Sequence, residues 1–402
     1  MAYQEKTETS YGQRLLNSLK GVAVGFVVFI IGTIILFWNE GNFIKTKKSI
    51  QEAERVTVSV SDVSAIDPEL NGKLIHASAF ANTQDMLTDG LFGISEKAVS
   101  IKREVEYYQN EEHSSTKTED KLGGKEEKVT TYTYEPNWVS KPIDSNKFKD
   151  SKYKSSNFVL AAIDEKIEYA KNVSFGAYRL PPFIISSISG SVPVDAKSSS
   201  QEMKQLENQI KKKMSEHGIR SDGTVVHVHG NVVYFGKSAS SPSIGDVRVT
   251  LTKILPADIS VIAKVTGNTF EQYIASNGKI FSRVSMGSVS AETMFAEAHS
   301  SNKMITWILR LVGVVMVIIG LKFMFGILPA LFKVVPFLGN IVGAGVALVC
   351  AIAGIAWSLI IISIAWLFYR PIIALPMIAV AIAGIWYLKQ KGKKTRDNND
   401  NG

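Results

Sequence analysis

Cysteine is almost absent from this sequence. The chain contains one cysteine among its 402 residues, Cys350, and it lies inside an apolar run. A single thiol excludes an intramolecular disulfide and any zinc site built from several cysteines. A lone cysteine on an apolar helix is typically a small packing residue. The chain can therefore occupy an oxidising compartment without mispairing, although nothing requires it to do so.

Catalytic motifs are also lacking. The sequence has no phosphate-binding loop, no nucleophile elbow and no HExxH zinc motif. His227 and His229 are two residues apart on a predicted strand, so both side chains point to one face, but no third metal ligand is apparent. The sequence thus predicts no enzyme, no cofactor and no metal site, with His227 and His229 as weak metal candidates.

Clusters of basic residues interleaved with aromatics are missing, despite a net charge of +8. Many of the lysines instead flank apolar runs, as they do in membrane proteins. Nucleic acid is therefore not an expected partner, and the lipid bilayer is.

Long uncharged runs occupy both ends of the chain. Residues 21–38 read GVAVGFVVFIIGTIILFW without a charge, and at ~1.5 Å per residue they nearly span a hydrocarbon core of ~30 Å. The run is long for a signal peptide, and Trp38-Asn39-Glu40-Gly41 lacks the small-x-small cleavage pattern. It predicts a retained transmembrane helix with Trp38 as an aromatic interface anchor.

Three further spans are predicted in the C-terminal third, over residues 304–328, 337–369 and 371–388. The run 337–369 is too long for one perpendicular helix, and Asn340, Gly343 and Gly345 predict a bent start. Only Tyr369-Arg370-Pro371 separates the last two spans, which predicts an antiparallel helical hairpin. Arg370 then marks the membrane surface and Pro371 takes the first helical position.

The span 304–328 carries two cations, Arg310 and Lys322. Charges at the bilayer centre are costly, so these side chains are expected near opposite ends of the helix, where they reach the headgroups. Four spans place both termini on one side. The basic tails 1–20 and 389–402, together with Lys333, assign that side to the cytoplasm or nucleoplasm. Three lysines, Lys45, Lys47 and Lys48, argue for the opposite orientation.

The segment 39–303 predicts a large α+β domain rich in antiparallel strands. The polar stretch 111–127 predicts a mobile hairpin loop. Helices are predicted over 200–217, where an apolar stripe is typical of packing on a core or, less favoured, of a membrane surface, and over 290–303 with Ser290 as N-cap. The predicted strands are 55–60, 73–80, 99–107, 128–134, 225–235, 247–255, 259–265 and 280–286. The fold class is therefore a four-helix transmembrane bundle plus a large extramembrane α+β domain.

Seven short stretches carry a family resemblance through their order and spacing. They are 38–41 with 45–46 (WNEG, KT), 71–76 (NGKLIH), 131–138 (TYTYEPNW), 244–249 (IGDVRV), 291–295 (AETMF), 306–310 (TWILR) with Gly313 and 320–321, and 366–371 (WLFYRP). On these residues the chain resembles the transmembrane protein 43 family, also called LUMA, along nearly its whole length.

The resemblance implies four spans, cytoplasmic or nucleoplasmic termini and a luminal large domain. For a eukaryotic chain it also implies the endoplasmic reticulum and inner nuclear membrane, with lamin- and emerin-type partners; for a bacterial chain it implies the cytoplasmic membrane. The stretch 111–127 and the Lys/Asn-rich tail depart from the animal pattern. No catalytic residue is carried over from the family.

The favoured hypothesis is a non-enzymatic multi-pass scaffold that anchors the large domain and assembles with itself or with membrane partners. Small residues at regular spacing, Gly313 with Gly320 and Gly339 with Gly343 and Ala347, offer close-packing faces for the bundle or for a homo-oligomer. The alternative is a transporter or channel component that uses Arg310 and Lys322 as fixed cations. A third hypothesis is a metal-dependent enzyme built on His227 and His229. The membrane-interface and packing residues are Trp38, Glu40, Arg310, Lys322, Arg370, Pro371, Gly313, Gly320 and Gly343.

Overall fold

The computed structural model of the chain describes residues 3–197, 201–220 and 223–371. Two compact units make up the chain. The strand-rich unit comprises Met1–Lys6, Glu52–Lys117 and Lys128–Ala296. The helical unit comprises Thr7–Gln51, Thr118–Glu127 and Glu297–Gly402.

Six α-helices occur in the described residues: α1 Tyr11–Val56, α2 Pro182–Ile185, α3 Gln201–Glu216, α4 Ala291–Met324, α5 Ile327–Phe332 and α6 Pro336–Tyr369. Three helices of this described part are long and apolar enough to cross a membrane, namely α1, α4 continued by α5, and α6. The protein is therefore a membrane protein with three candidate spans and a large domain rich in antiparallel strands. The predicted fourth span, 371–388, and the tail 389–402 lie outside the described residues from residue 372 onward.

The membrane helices differ from the predicted boundaries in three places. The first helix begins ten residues before the predicted span and continues to Val56, where Ile50 and Ala53 are buried on its last turns. The second span is interrupted at Gly326, so that α5 follows α4 as a separate short helix. The third, α6, is one helix from Pro336 onward, and helical structure runs through Asn340, Gly343 and Gly345, where the sequence predicts a bent start.

The start of α4 agrees with the sequence. The backbone N–H of Thr293 donates to the Ser290 hydroxyl at 3.3 Å, and Glu292 lies in the first turn. Ser290 thus caps the helix as predicted, and the carboxylate of Glu292 complements the positive end of the helix dipole.

The larger sheet has eight strands: β1 Tyr3–Thr9, β6 Ser100–Asp120, β7 Glu126–Val139, β8 Lys166–Tyr169, β11 Ser191–Pro193, β12 Val226–His229, β13 Val232–Phe235 and β14 Val247–Ile254. Its order is β1-β7-β6-β14-β13-β12, with β8 beside β6 and β11 beside β14. In the antiparallel pair β6 and β14, Val249 lies opposite Val105 and both are buried.

Helix α3 covers this sheet. Met203, Ile210 and Met214 are buried in the same core as Val249 and Val105. The 3.6-residue period of the stripe brings these side chains to one face. The predicted core-facing helix is therefore confirmed, and the membrane-surface alternative is not what the structure shows.

The second sheet has seven strands: β2 Val58–Val60, β3 Leu74–Thr83, β9 Val173–Phe175, β10 Tyr178–Arg179, β15 Ala257–Thr266, β16 Thr269–Glu271 and β19 Arg283–Met286. Five of its strands, β3, β15, β16, β10 and β9, pair in a closed ring, because β3 bonds to both β9 and β15. Closure leaves the ring without a free edge. Two short hairpins complete the unit, β4 Met86–Asp89 with β5 Ile94–Lys97, and β17 Tyr273–Ile274 with β18 Ile280–Phe281.

The segment 111–127 forms a hairpin as predicted, but most of it is strand and not loop. Strand β6 continues to Asp120 and β7 resumes at Glu126, so only residues 121–125 form the turn. Polar side chains stabilise the pairing of β6 with β7, because hydroxyl and carboxylate groups on the two strands form hydrogen bonds with each other. Thr116 pairs with Thr130 at 3.0 Å, and the Tyr134 hydroxyl donates to Glu112 at 2.6 Å.

The remaining differences concern strand ends. The predicted strand 225–235 is a tight hairpin that turns at Gly230, whose φ of 60° suits glycine. The first two residues of the predicted strand 55–60 belong to α1. A period-2 apolar pattern does not distinguish one strand from two strands joined by a short turn.

The hairpin turn 121–125 packs within the helical unit. Arg14 forms ion pairs with Asp120 at 2.8 Å and with Glu126 at 3.3 Å, and Lys333 contacts Asp120 at 2.8 Å. The Tyr11 hydroxyl donates to the carbonyl of Leu331 at 3.1 Å. The start of α1, the hairpin turn and the connection between α5 and α6 therefore meet at one end of this unit.

Candidate functional site

A buried carboxylate lies two residues after the first apolar run. The side chain of Glu40 on α1 is fully buried. Arg310 on α4 binds it with two nitrogens: Nε donates to Oε1 at 2.6 Å and Nη2 donates to Oε2 at 2.9 Å. This bidentate geometry is the strongest form of a carboxylate–guanidinium pair.

The third long helix completes the cluster. The indole Nε1 of Trp366 donates to Oε2 of Glu40 at 2.8 Å. The Arg370 guanidinium, at the end of α6, lies 3.8 Å from the same oxygen. The Glu40 carboxylate on α1 thus accepts hydrogen bonds from side chains of α4 and α6. We call the four residues Glu40, Arg310, Trp366 and Arg370 the Glu40 cluster.

Aromatic rings support both cations. The Arg310 guanidinium lies 4.8 Å from the centroid of the Trp307 ring, and that of Arg370 lies 4.6 Å from Phe43 and 5.4 Å from Trp366. An aromatic face attracts a guanidinium through its quadrupole. The rings therefore fix the direction of two long side chains that would otherwise be mobile.

Backbone contacts close the same region. The side-chain amide of Asn39 donates to the carbonyl of Thr306 at 3.0 Å, and that of Asn302 donates to the carbonyl of Phe43 at 3.2 Å. A Cβ on Gly41 would lie 2.6 Å from the Tyr369 ring, so only glycine fits there. These contacts use residues of three of the sequence stretches noted above, 38–41, 306–310 and 366–371, which the fold brings to one place.

The cluster suits binding and positioning rather than covalent chemistry. It holds neither a nucleophile nor a titratable pair facing a cavity, and its only carboxylate is fully bonded to donors. A buried carboxylate is tolerated when cations and hydrogen-bond donors surround it, and removing one partner leaves an uncompensated charge. Its chemical role is therefore to lock α1, α4 and α6 in one arrangement.

Glu40, Arg310 and Arg370 are candidate residues from the sequence, but the sequence does not show that they pair. Arg310 is expected near one end of its span, with its side chain reaching the headgroups; the structure adds that the side chain is 14% exposed and bonded to Glu40. Lys322, twelve residues further along α4, is exposed as expected. The signal that could have found the pair is a lone acid directly after one apolar run and a lone arginine inside another, since charges in membrane segments pair with one another.

The predicted glycines pack helices closely. A Cβ on Gly320 would lie 2.6 Å from the backbone nitrogen of Phe29 and 2.8 Å from the carbonyl oxygen of Gly25. A Cβ on Gly313 would lie 2.6 Å from the side chain of Leu36. Gly25 and Gly32 on α1, which sequence analysis missed, face Gly320 and Gly313 on α4. Both pairs are seven residues apart, so two antiparallel helices approach at two levels.

The other predicted positions are less constrained. A Cβ on Gly343 would lie 3.6 Å from the side chain of Pro329, an ordinary van der Waals distance. Trp38 is 56% exposed at the end of the apolar run, as expected of an interface residue. Pro371 is helical again after Arg370, which leaves the helix at φ −140°.

The two histidines do not form a metal site. His227 bonds through Nε2 to the carbonyl of Gly236 at 3.2 Å, and His229 is exposed at the end of β12. Among the residues that the structure describes, no group of three His, Cys, Asp or Glu side chains is placed to hold a metal ion.

A second polar cluster lies inside the strand-rich unit. The Tyr234 hydroxyl donates to Asp246, which also accepts the backbone N–H of Ser243 at 2.8 Å. Burial raises the pKa of Asp246 above its ordinary value, and burial together with the Asp246 bond raises the pKa of Tyr234. A Cβ on Gly236 would fall within 2.3 Å of this carboxylate, so the cluster fills its site completely. Both side chains are almost fully buried, which makes this a structural network.

Comparison with known proteins identifies the family of the chain. The family model described as transmembrane protein 43 matches residues 107–371, well over half of the chain. The chain is 28% identical to transmembrane protein 43 of Mus musculus over 372 residues, covering 90% of this chain and 87% of that protein. Identity to transmembrane protein 43 of Homo sapiens is 27% over 394 residues, covering 94% and 92% of the two chains.

The transmembrane protein 43 homolog of Drosophila melanogaster is 26% identical over 372 residues, covering 91% of this chain and 93% of that protein. No solved structure matches the chain. The family match includes α4, α6 and the residues Arg310, Trp366 and Arg370 of the Glu40 cluster. The chain belongs to the transmembrane protein 43 family.

Proposed function

We propose that this protein is a non-enzymatic membrane scaffold, in which the helices hold the strand-rich unit at a membrane where it assembles with itself and with membrane partners. The observation that carries the proposal is the Glu40 cluster. The ion pairs and hydrogen bonds of this cluster link α1, α4 and α6. A protein whose buried membrane charges serve packing is suited to holding a fixed shape.

The proposed partners depend on the organism in which the protein occurs. In a eukaryotic cell they would be lamin- and emerin-type proteins at the endoplasmic reticulum and inner nuclear membrane, and in a bacterium they would be proteins of the cytoplasmic membrane. Homo-oligomers are part of the proposal in both cases. The support for them is the apolar surface of the long helices, most of which the described residues leave uncovered and which a second copy could cover in the membrane.

The transport hypothesis is less well supported. It uses Arg310 and Lys322 as fixed cations, yet the charge of Arg310 is already bonded through two nitrogens to Glu40. A pathway residue must release its partner during transport, and a bidentate buried pair resists this.

Chemical cross-linking in intact membranes tests the scaffold. The full-length chain is compared with the variant Glu40→Gln and with Glu69→Gln, which removes an exposed carboxylate in the strand-rich unit. Wild type and Glu69→Gln should give the same discrete oligomers and the same neighbouring membrane proteins, and Glu40→Gln should lose them. A chain that stays monomeric and acquires no reproducible neighbour, or that conducts ions in liposomes above empty controls, would contradict the proposal.

A further inference from the structure

The Glu40 cluster carries one positive charge in excess, because two guanidinium groups share one carboxylate. Arg310 satisfies Glu40, whereas Arg370 does not reach hydrogen-bonding distance of it. Within the described residues, the Nε of Arg370 is buried without a hydrogen-bond acceptor. A guanidinium offers five N–H donors, and leaving them unmet in a partly buried site is costly.

The Arg370 side chain is nevertheless held in place. The rings of Phe43 and Trp366 lie beside its guanidinium, and its side chain is 18% exposed. The group is therefore oriented in advance, and the exposed part of its side chain, though not the buried Nε, can meet an anion from outside. Such preorganisation lowers the cost of binding an anion.

Two exposed lysines extend the positive charge away from the apolar runs. Lys47 lies one heptad beyond Glu40 on α1, and Lys303 lies one heptad before Arg310 on α4. Seven residues of helix correspond to about 10 Å along its axis and return to nearly the same face. Cations thus lie at two levels where the apolar runs of α1, α4 and α6 end.

Phosphate groups of lipids occupy this level of a membrane, just outside the hydrocarbon core. Arginine recognises phosphate through paired N–H donors, and the exposed Trp307 and Trp38 are residue types that favour the same interface. We propose that Arg370 binds the phosphate of an anionic phospholipid at the Glu40 cluster, and that the charges of Lys47 and Lys303, one level further out, strengthen the attraction of the negatively charged headgroup. This inference does not depend on the scaffold proposal, since it requires only the geometry of the site.

Native mass spectrometry of the delipidated full-length chain tests the site. The probes are phosphatidylglycerol, phosphatidylcholine with identical acyl chains, and inorganic phosphate. One phosphatidylglycerol molecule should remain bound about tenfold more tightly than phosphatidylcholine, because the choline cation leaves that headgroup without net charge and weakens its attraction to a cationic site. Inorganic phosphate should not compete at equal concentration.

Matched lysine and arginine variants locate the binding. Arg370→Gln should remove the preference for phosphatidylglycerol, and the double variant Lys47→Gln with Lys303→Gln should weaken it about threefold or more while leaving the Glu40 cluster intact. Lys322→Gln removes an exposed cation elsewhere on α4 and should change nothing.

The outcomes separate the alternatives. If Arg370→Gln does not fold, the double variant Lys47→Gln with Lys303→Gln provides the test. An unchanged preference of that variant for phosphatidylglycerol overturns the site. Equal binding of the two lipids overturns it as well. Full competition by inorganic phosphate would assign the site to a free anion and not to a lipid.

Discussion

Glu40 is the residue on which the packing of the long helices depends most. Its oxygens accept from Arg310 and Trp366, and it lies beside a second guanidinium. Loss of its charge leaves two cations without their counter-ion in a region that excludes water. The effect is therefore larger than that of an exposed carboxylate.

We predict that Glu40→Gln lowers the free energy of unfolding in mild detergent by about 3 kcal/mol. The fluorescence of Trp366 and Trp307, which contact the cluster, reports the transition. The double variant Glu40→Gln with Arg310→Gln should recover part of the loss, because two amides can bond without a buried charge. Glu69→Gln is the control, and an equal effect of both single variants would show that the cluster has no special role.

Tyr234 has a comparable role in the strand-rich unit. We predict that Tyr234→Phe costs about 1–3 kcal/mol, because the buried Asp246 loses a donor and keeps its desolvation penalty. Chemical denaturation followed by circular dichroism measures the cost. Tyr169→Phe, at a partly exposed position, is the matched control and should be nearly neutral.

Asp246 should also give the stability a pH dependence. Its pKa is raised in the folded protein, so the native state holds the proton more tightly than the unfolded state does. The associated stability is present at pH values below the ordinary aspartate pKa and is lost as pH rises through the raised one. Asp246→Asn should abolish this decline in thermal unfolding between pH 4 and 7, and an unchanged profile would assign the titration to another group.

At the scale of elements, the contact between α1 and α4 depends on glycine. Gly25 and Gly320 approach so closely that a Cβ on either would meet backbone atoms at 2.6 Å. Backbone cannot yield as a flexible side chain can, so the two helices must separate to admit a methyl group. A second glycine contact, between Gly32 and Gly313, lies seven residues along the helices, so close packing extends over both levels of the α1–α4 pair.

We predict that Gly320→Ala destabilises the helical unit by about 1–3 kcal/mol in detergent unfolding. Gly345→Ala is the control on α6, because a Cβ there meets no atom within 4 Å. It should be neutral or stabilising by up to about 1 kcal/mol, since alanine favours helix over glycine. The double variant Gly25→Ala with Gly320→Ala should be less damaging than the sum, because both glycines serve one contact.

At the scale of the whole molecule, the hairpin turn bears on membrane topology. The charge pattern predicts the tail 1–20 and Lys333 on one side of the membrane and residues 39–303 on the other. The contacts of Asp120 with Arg14 and Lys333 instead place the turn with the tail and the loop. A charge rule counts cations near span ends and does not register which of them are paired with acids.

We predict that cysteines introduced at Ser10 and Thr118, in a Cys350→Ala background, react with a membrane-impermeant maleimide from the same side of sealed vesicles. Arg14→Glu should break the contact with Asp120. It is therefore the comparison variant if the cysteines introduced at Ser10 and Thr118 cross-link to each other. Labelling from opposite sides would show that the hairpin turn and the tail do not meet in the membrane.

The apolar runs, the capped start of α4 and the stripe of α3 were readable from the sequence, because run length, helix caps and period are local properties. The ordered strand pairing over 111–127 was not, since its polar pairs form between strands. Gly313 and Gly320 were identifiable as small residues, but their partners Gly25 and Gly32 were not.

The sequence by itself therefore determined a membrane protein with long apolar helices and a strand-rich domain, because lipid and water select segments by composition. Only the tertiary structure decided that Glu40 meets Arg310, 270 residues away, and that Trp366 and Arg370 join them. A charge near a membrane is costly wherever it lies, but which partner offsets that cost depends on how three helices pack.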